Sequence, residues 1–68
     1  MKLTKGGIYQ HKNGSLYEII AFAIHTERDE QLVVFQSIGG RDEGTTYAHP
    51  FDDFVKSSDF TLVYKPGD

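Results

Sequence analysis

Apolar residues in this chain fall into short runs separated by Gly, Pro, Asn and charged residues, a pattern of β-strands rather than of amphipathic helices. The first run, Ile8-Tyr9-Gln10-His11, stops at Lys12-Asn13-Gly14-Ser15. Asn-Gly tolerates positive φ at both positions and so predicts a tight hairpin turn. Leu16 to Thr26 follows, rich in Ile, Phe, Tyr and Ala. Its lack of Gly and Pro would also permit a helix of about three turns. Strand is the better reading, because β-branched and aromatic residues fill the run and a hairpin turn precedes it. A matching run, Gln31 to Ile38, also follows across the charged link Glu27-Arg28-Asp29-Glu30.

Gly39-Gly40-Arg41-Asp42-Glu43-Gly44 is the clearest loop, after which Thr45 to His49 resumes strand composition. Pro50 breaks the pattern. Pro50 to Val55 has Pro at a first helical position, acids in the first turn, and Phe51 and Phe54 spaced to face the same way, which predicts one helical turn. Phe60 to Tyr64 closes the order as a fifth strand. The expected fold is mainly β, a five-stranded SH3-like barrel with one short helical turn before the last strand, in which closure largely removes the sheet edges. An OB-like barrel is the rival, disfavoured because a Gly-rich loop stands where its longer helix belongs. The domain is read as single over residues 1–68, with 1–6 and 65–68 as flexible tails.

Strict alternation puts Tyr17, Ile19, Ala21, Ala23 and His25 on one face of the long strand, and Leu16, Glu18, Ile20, Phe22, Ile24 and Thr26 on the other. Both faces are largely apolar. Such a strand is buried on both sides, bent by a bulge, or exposes Phe22 and Ile24 as a patch for a partner or a homodimer.

With 68 residues, the chain has room for one core and buries only about 60% of its unfolded surface. Having no Cys, it lacks both a disulfide framework and thiolate metal ligands, so packing must supply the stability. That composition fits a reducing compartment. No apolar stretch reaches the length of a signal peptide or a membrane span, and a cytoplasmic location is expected. Ten acidic against seven basic residues give a net charge of −3, which opposes the counterion release that drives nucleic-acid binding and disfavours attraction to a membrane surface. The basic residues are scattered, with no polybasic segment.

Gly7-Ile8-Tyr9-Gln10-His11 with Gly14, Tyr17-Glu18-Ile19, Ala23-Ile24-His25-Thr26-Glu27, Leu32-Val33-Val34-Phe35, and Tyr47, Pro50 and Phe54 occur in an order and spacing that resembles a family of small bacterial domains, domain of unknown function 1653. The resemblance runs from about Gly7 to Phe54. It implies an SH3-like barrel and brings no activity with it. Two positions depart from the family pattern: His49 stands where Arg usually precedes the Pro, and Asp53 where Met usually precedes the final Phe. An anion held by that Arg in relatives would lack its partner here.

Three histidines, His11, His25 and His49, fall near strand ends, where side chains from different strands can converge. Three imidazoles could hold Zn²⁺ and leave a position for water, with Glu27 as base, but the spacings match no metal signature and the plainer reading is surface or hydrogen-bonded strand residues. Tyr9, Tyr17, Tyr47 and Phe51 are a second set, since SH3-like barrels recognise ligands with aromatics lining a groove beside acidic loops, here Asp29, Glu30, Asp42 and Glu43. The plainer reading makes the aromatics core and the acids solvated.

No Ser stands in a nucleophile elbow, and the Gly39–Gly44 loop lacks the Lys-Ser/Thr of a phosphate loop. Adjacent Asp52 and Asp53 diverge on a helical turn and suit its dipole. The leading expectation is a non-enzymatic binding module without a cofactor, presenting Tyr9, His11, His25, Glu27, Tyr47 and His49 to a peptide, protein or small ligand. A metal-dependent enzyme using the histidines and a nucleic-acid-binding barrel are the alternatives.

Overall fold

A computed structural model of the chain describes residues 3–67. Five strands form one antiparallel sheet: β1 (Ile8–His11), β2 (Leu16–His25), β3 (Glu30–Gly39), β4 (Thr46–Pro50) and β5 (Phe60–Tyr64). One helix, α1 (Phe51–Lys56), stands between β4 and β5. The mainly-β fold of five strands with a short helix before the last is thus as the pattern predicted. Turn chemistry explains the corners. Gly14 takes φ 97°, and the Asn13 side-chain oxygen accepts from the Ser15 amide at 2.9 Å, so the β1–β2 turn is held by the side chain that starts it. At the β2–β3 turn Asp29 takes φ 51°, a left-handed conformation that short polar side chains tolerate.

The strand order is β4-β3-β2-β1-β5, so β4 and β5 are the two edges, and among the described residues no ladder joins them. The expected closure is therefore not made by hydrogen bonds. Pro50 ends β4 and donates no amide hydrogen, and α1 carries the chain from one edge toward the other. Its Phe54, 2% exposed, packs with Leu3, Tyr9, Tyr17, Ile19, Val33 and Phe35 to form the core. The Phe54 ring stacks on Phe60 of β5 at 4.3 Å and meets Tyr9 edge-on at 5.5 Å.

The long strand does not alternate evenly. Ile19 pairs with Phe35 and Ala21 with Val34, leaving Ile20 as an extra residue between them. Such a bulge reverses which face every later side chain occupies. Tyr17 and Ile19 face the core before it, whereas Phe22, paired with Val33, faces that side after it and meets Phe51 of α1 at 6.2 Å. The even alternation expected from Tyr17 to His25 is thereby corrected. Both faces of the run are apolar because each supplies the core for part of its length. Even so, α1 covers this end of the inner face only in part, with Phe22 38% and Ile24 59% exposed.

Among the described residues, Leu3, Gly6 and Pro66 pack more closely than tails would. Leu3 is buried, the Gly6 amide donates to the Ile19 carbonyl at 2.7 Å, and the Ile19 amide donates to the Gly7 carbonyl at 2.9 Å. Pro66 lies over Gly6, where a Cβ would come within 2.9 Å of its ring. Of the segments read as flexible tails, residues 1, 2 and 68 lie outside the described residues.

Candidate functional site

Between the two unpaired edges lies a groove of about 390 Å³. Its walls come from His11 of β1, Tyr47 and His49 of β4 and Phe60 of β5, and its floor from Tyr17 and Phe35. Register explains the gathering. Tyr47 pairs with Phe35 and His49 with Val33, while His11 pairs with Phe60, so all these side chains point to the concave side of the sheet. The rings touch at steep angles: His11 to Phe60 at 5.0 Å and 72°, His49 to Phe60 at 6.4 Å and 74°, Tyr17 to Tyr47 at 5.9 Å and 84°.

One end of the groove is organised by Asp42. Its Oδ2 accepts from the Tyr47 hydroxyl at 2.6 Å and the Tyr17 hydroxyl at 3.0 Å. Its Oδ1 accepts from the Ser37 hydroxyl at 2.8 Å and the Ser15 hydroxyl at 3.4 Å. These bonds favour the ionised form, and the Tyr47 bond first, then that of Ser37, holds the Asp42 carboxyl down at about 2. Reciprocally, donation to the carboxylate pushes the Tyr47 phenol above 10.0.

Local structure brings Asp42 there. Leu16 pairs with Gly39 and Tyr17 with Ser37, so Ile38 is extruded and the loop swings toward the β1–β2 turn. Gly40, at φ 117°, passes so close to Ser15 that a Cβ would lie 2.5 Å from its hydroxyl oxygen. Backbone bonds from Gly44 N to Ser37 O at 2.8 Å and from Thr45 N to Asp42 O at 2.9 Å close the loop. A second cavity of about 660 Å³, lined by Asn13, Gly14, Ser15, Gly40, Arg41 and Asp42, lies between this loop and the β1–β2 turn.

Of the residues singled out from the sequence, His11, Tyr17, Asp42, Tyr47 and His49 meet in the groove. The His11 Nδ1 accepts from the Asn13 amide at 3.2 Å, which fixes the imidazole and leaves Nε2 to carry the proton of the neutral ring. Tyr9 is 3% exposed and belongs to the core. His25 pairs with Glu30 at the tip of the β2–β3 hairpin. The bulge at Ile20 turns it to the face opposite Tyr17, and its Nδ1 accepts from the Glu27 and Arg28 amides at 3.3 Å. Glu27 stays with that turn, and Phe51 packs against Phe22. No group of three or more His, Asp or Glu side chains that could hold a metal ion forms among the described residues.

Phe35, Phe60 and the anchoring role of Asp42 were not anticipated. Phe35 and Phe60 carry ordinary strand signals, and the partners of Asp42 are scattered from Ser15 to Tyr47, so no local motif marks it. The family comparison covers nearly the same ground: the model for a protein family of unknown function, DUF1653, matches residues 7–64. The chain belongs to that family. The match extends past Phe54 through β5 and so includes Phe60, the groove wall that the residue-level resemblance did not reach. No curated protein and no solved structure matches the chain.

Proposed function

We propose that the chain is a non-enzymatic binding module, an SH3-like frame left open at the seam between β4 and β5, which takes a peptide, protein or small ligand into that seam. The observation that carries this reading is the groove itself: six rings from five strands line one depression between two edges that no ladder joins among the described residues. Aromatic rings that stay partly open at a concave surface supply binding area at little entropic cost, and Tyr47 is 36% exposed at the mouth. Asp42 holds Tyr17 and Tyr47 in place from below, so the site is organised before a ligand arrives. A cytoplasmic setting belongs to the same reading and rests on the cysteine-free composition.

The test is an amide NMR titration of the labelled protein with a mixed peptide pool and a small-molecule fragment set. Shifts should converge on His11, Tyr47, His49 and Phe60. In a Tyr47→Ala variant that keeps its dispersed spectrum, the same titration should lose its response. Shifts confined to the Phe22–Ile24 patch, or undiminished binding by the variant, would remove the groove from consideration.

A further inference from the structure

Resting on that reading of the groove, we infer that its ligand is a small organic quaternary ammonium ion, enclosed by the Tyr47, His49 and Phe60 rings beside the Asp42 carboxylate. Charge is the first support. Asp42 is half-buried, and the side-chain partners of its carboxylate are neutral hydroxyls, which stabilise the anion without cancelling its charge. Lys12 pairs with Asp59 at 3.4 Å, and among the described residues no ion pair reaches Asp42. Arg41 lines the neighbouring cavity rather than the groove. The groove therefore combines a fixed negative charge with the electron-rich faces of its Tyr and Phe rings, and both attract a cation.

Which cation follows from hydrogen bonding and shape. A carboxylate offers about four lone-pair sites, and two hydroxyls already occupy each oxygen of Asp42. A ligand bearing N–H donors would be stripped of water and find no vacant acceptor there, which costs binding energy. A quaternary ion has no N–H to leave unpaired. His49 and Phe60 meet at 74° and Tyr47 stands at 84° to the floor ring Tyr17, making the corner of a box rather than a parallel slot. A round ion contacts several walls of such a corner, whereas a flat guanidinium prefers to lie along one face. At about 390 Å³, the groove is near the lower end of the range for small-molecule sites, which favours a free ion over a segment of protein.

The experiment titrates the labelled protein with choline, with its neutral carbon isostere 3,3-dimethylbutanol, with methylguanidinium, and with a short peptide containing trimethyllysine. Choline should shift Tyr47, His49 and Phe60 and bind about tenfold more tightly than the isostere. Its affinity should fall with added salt while that of the isostere does not, a readout that needs no variant. Equal affinity for choline and its isostere would overturn the cation preference and leave the groove reading standing. Tighter binding of methylguanidinium would overturn the argument from shape and filled acceptors, and tighter binding of the peptide would make the source a protein side chain. If none of these four, nor the peptide pool and fragment set, moves the groove amides, both readings fall.

Discussion

The Tyr47 hydroxyl donates to Asp42 Oδ2 at 2.6 Å, shorter than the 3.0 Å bond from Tyr17 to the same oxygen. The pair ties the β3–β4 loop to the strand that follows it. Removing that hydroxyl should therefore act on the carboxylate more than removing its neighbour does. In Tyr47→Phe the Asp42 carboxyl should rise from about 2 toward the ordinary 3.8, read from its side-chain carbon shift, and the Gly44 and Thr45 amides should exchange faster. Tyr17→Phe should move the titration less. An unmoved Asp42 in Tyr47→Phe would show that the loop is held by its backbone bonds.

The same carboxylate sets a pH window. Its folded pKa is depressed from 3.8 to about 2, with the Tyr47 bond as the largest cause, so the stability it contributes is fully present above 3.8 and is lost as pH falls through about 2. Asp42→Asn removes that contribution. Wild type and variant should differ in denaturation midpoint by a constant amount above about pH 4, and the difference should shrink between there and about pH 2. At the alkaline end the sign reverses. Tyr47, through its bond to Asp42, and Tyr9, through burial, are both raised above 10.0, so each favours the fold below 10 and ceases to do so as pH rises through its elevated value. A gap that persists unchanged to pH 2 would remove Asp42 as its source.

How much of this was legible depended on the range of the signal. Asn13-Gly14 and Pro50 are local, and each acts where it stands, so the hairpin and the switch from β4 to α1 followed from the residues themselves. The Ile20 bulge is different. Ile19 and Ile20 are the same residue type side by side, and only pairing with β3 decides which of them is inserted. Every face assignment beyond it, including that of His25, therefore depended on a partner strand. Asp42 likewise reads as one more loop acid until Ser15, Tyr17, Ser37 and Tyr47 are brought around it by strands far apart in sequence.

That difference between Ile19 and Ile20 can be measured. Ile19 is 1% exposed and Ile20 is 37% exposed. Ile19→Ala should cost about 2–5 kcal/mol, the usual range for truncating a core aliphatic. Ile20→Thr keeps a β-branched side chain at a bulge and should stay within about 0.5 kcal/mol of wild type. Urea midpoints would separate the two, and similar losses at both positions would mean that Ile20 is held in the core as firmly as Ile19.

Phe54 and Phe60 divide structure from site. Phe54 is 2% exposed in the core, whereas Phe60 is partly buried against that core and forms a groove wall. Their rings stack at 4.3 Å. Truncating a buried Phe costs about 3–5 kcal/mol, and a core this small supplies about 3–5 kcal/mol in all, so Phe54→Ala should collapse the amide dispersion of the whole domain. Phe60→Ala removes a ring that solvent already reaches on one side, and the loss should be smaller, about 1–3 kcal/mol by the area left to bury. The Phe60 variant should therefore stay folded while losing the response of His11 and His49 to groove ligands. Were it to unfold like Phe54→Ala, Phe60 would belong to the core, and the groove would be formed by Tyr47 and the histidines without it.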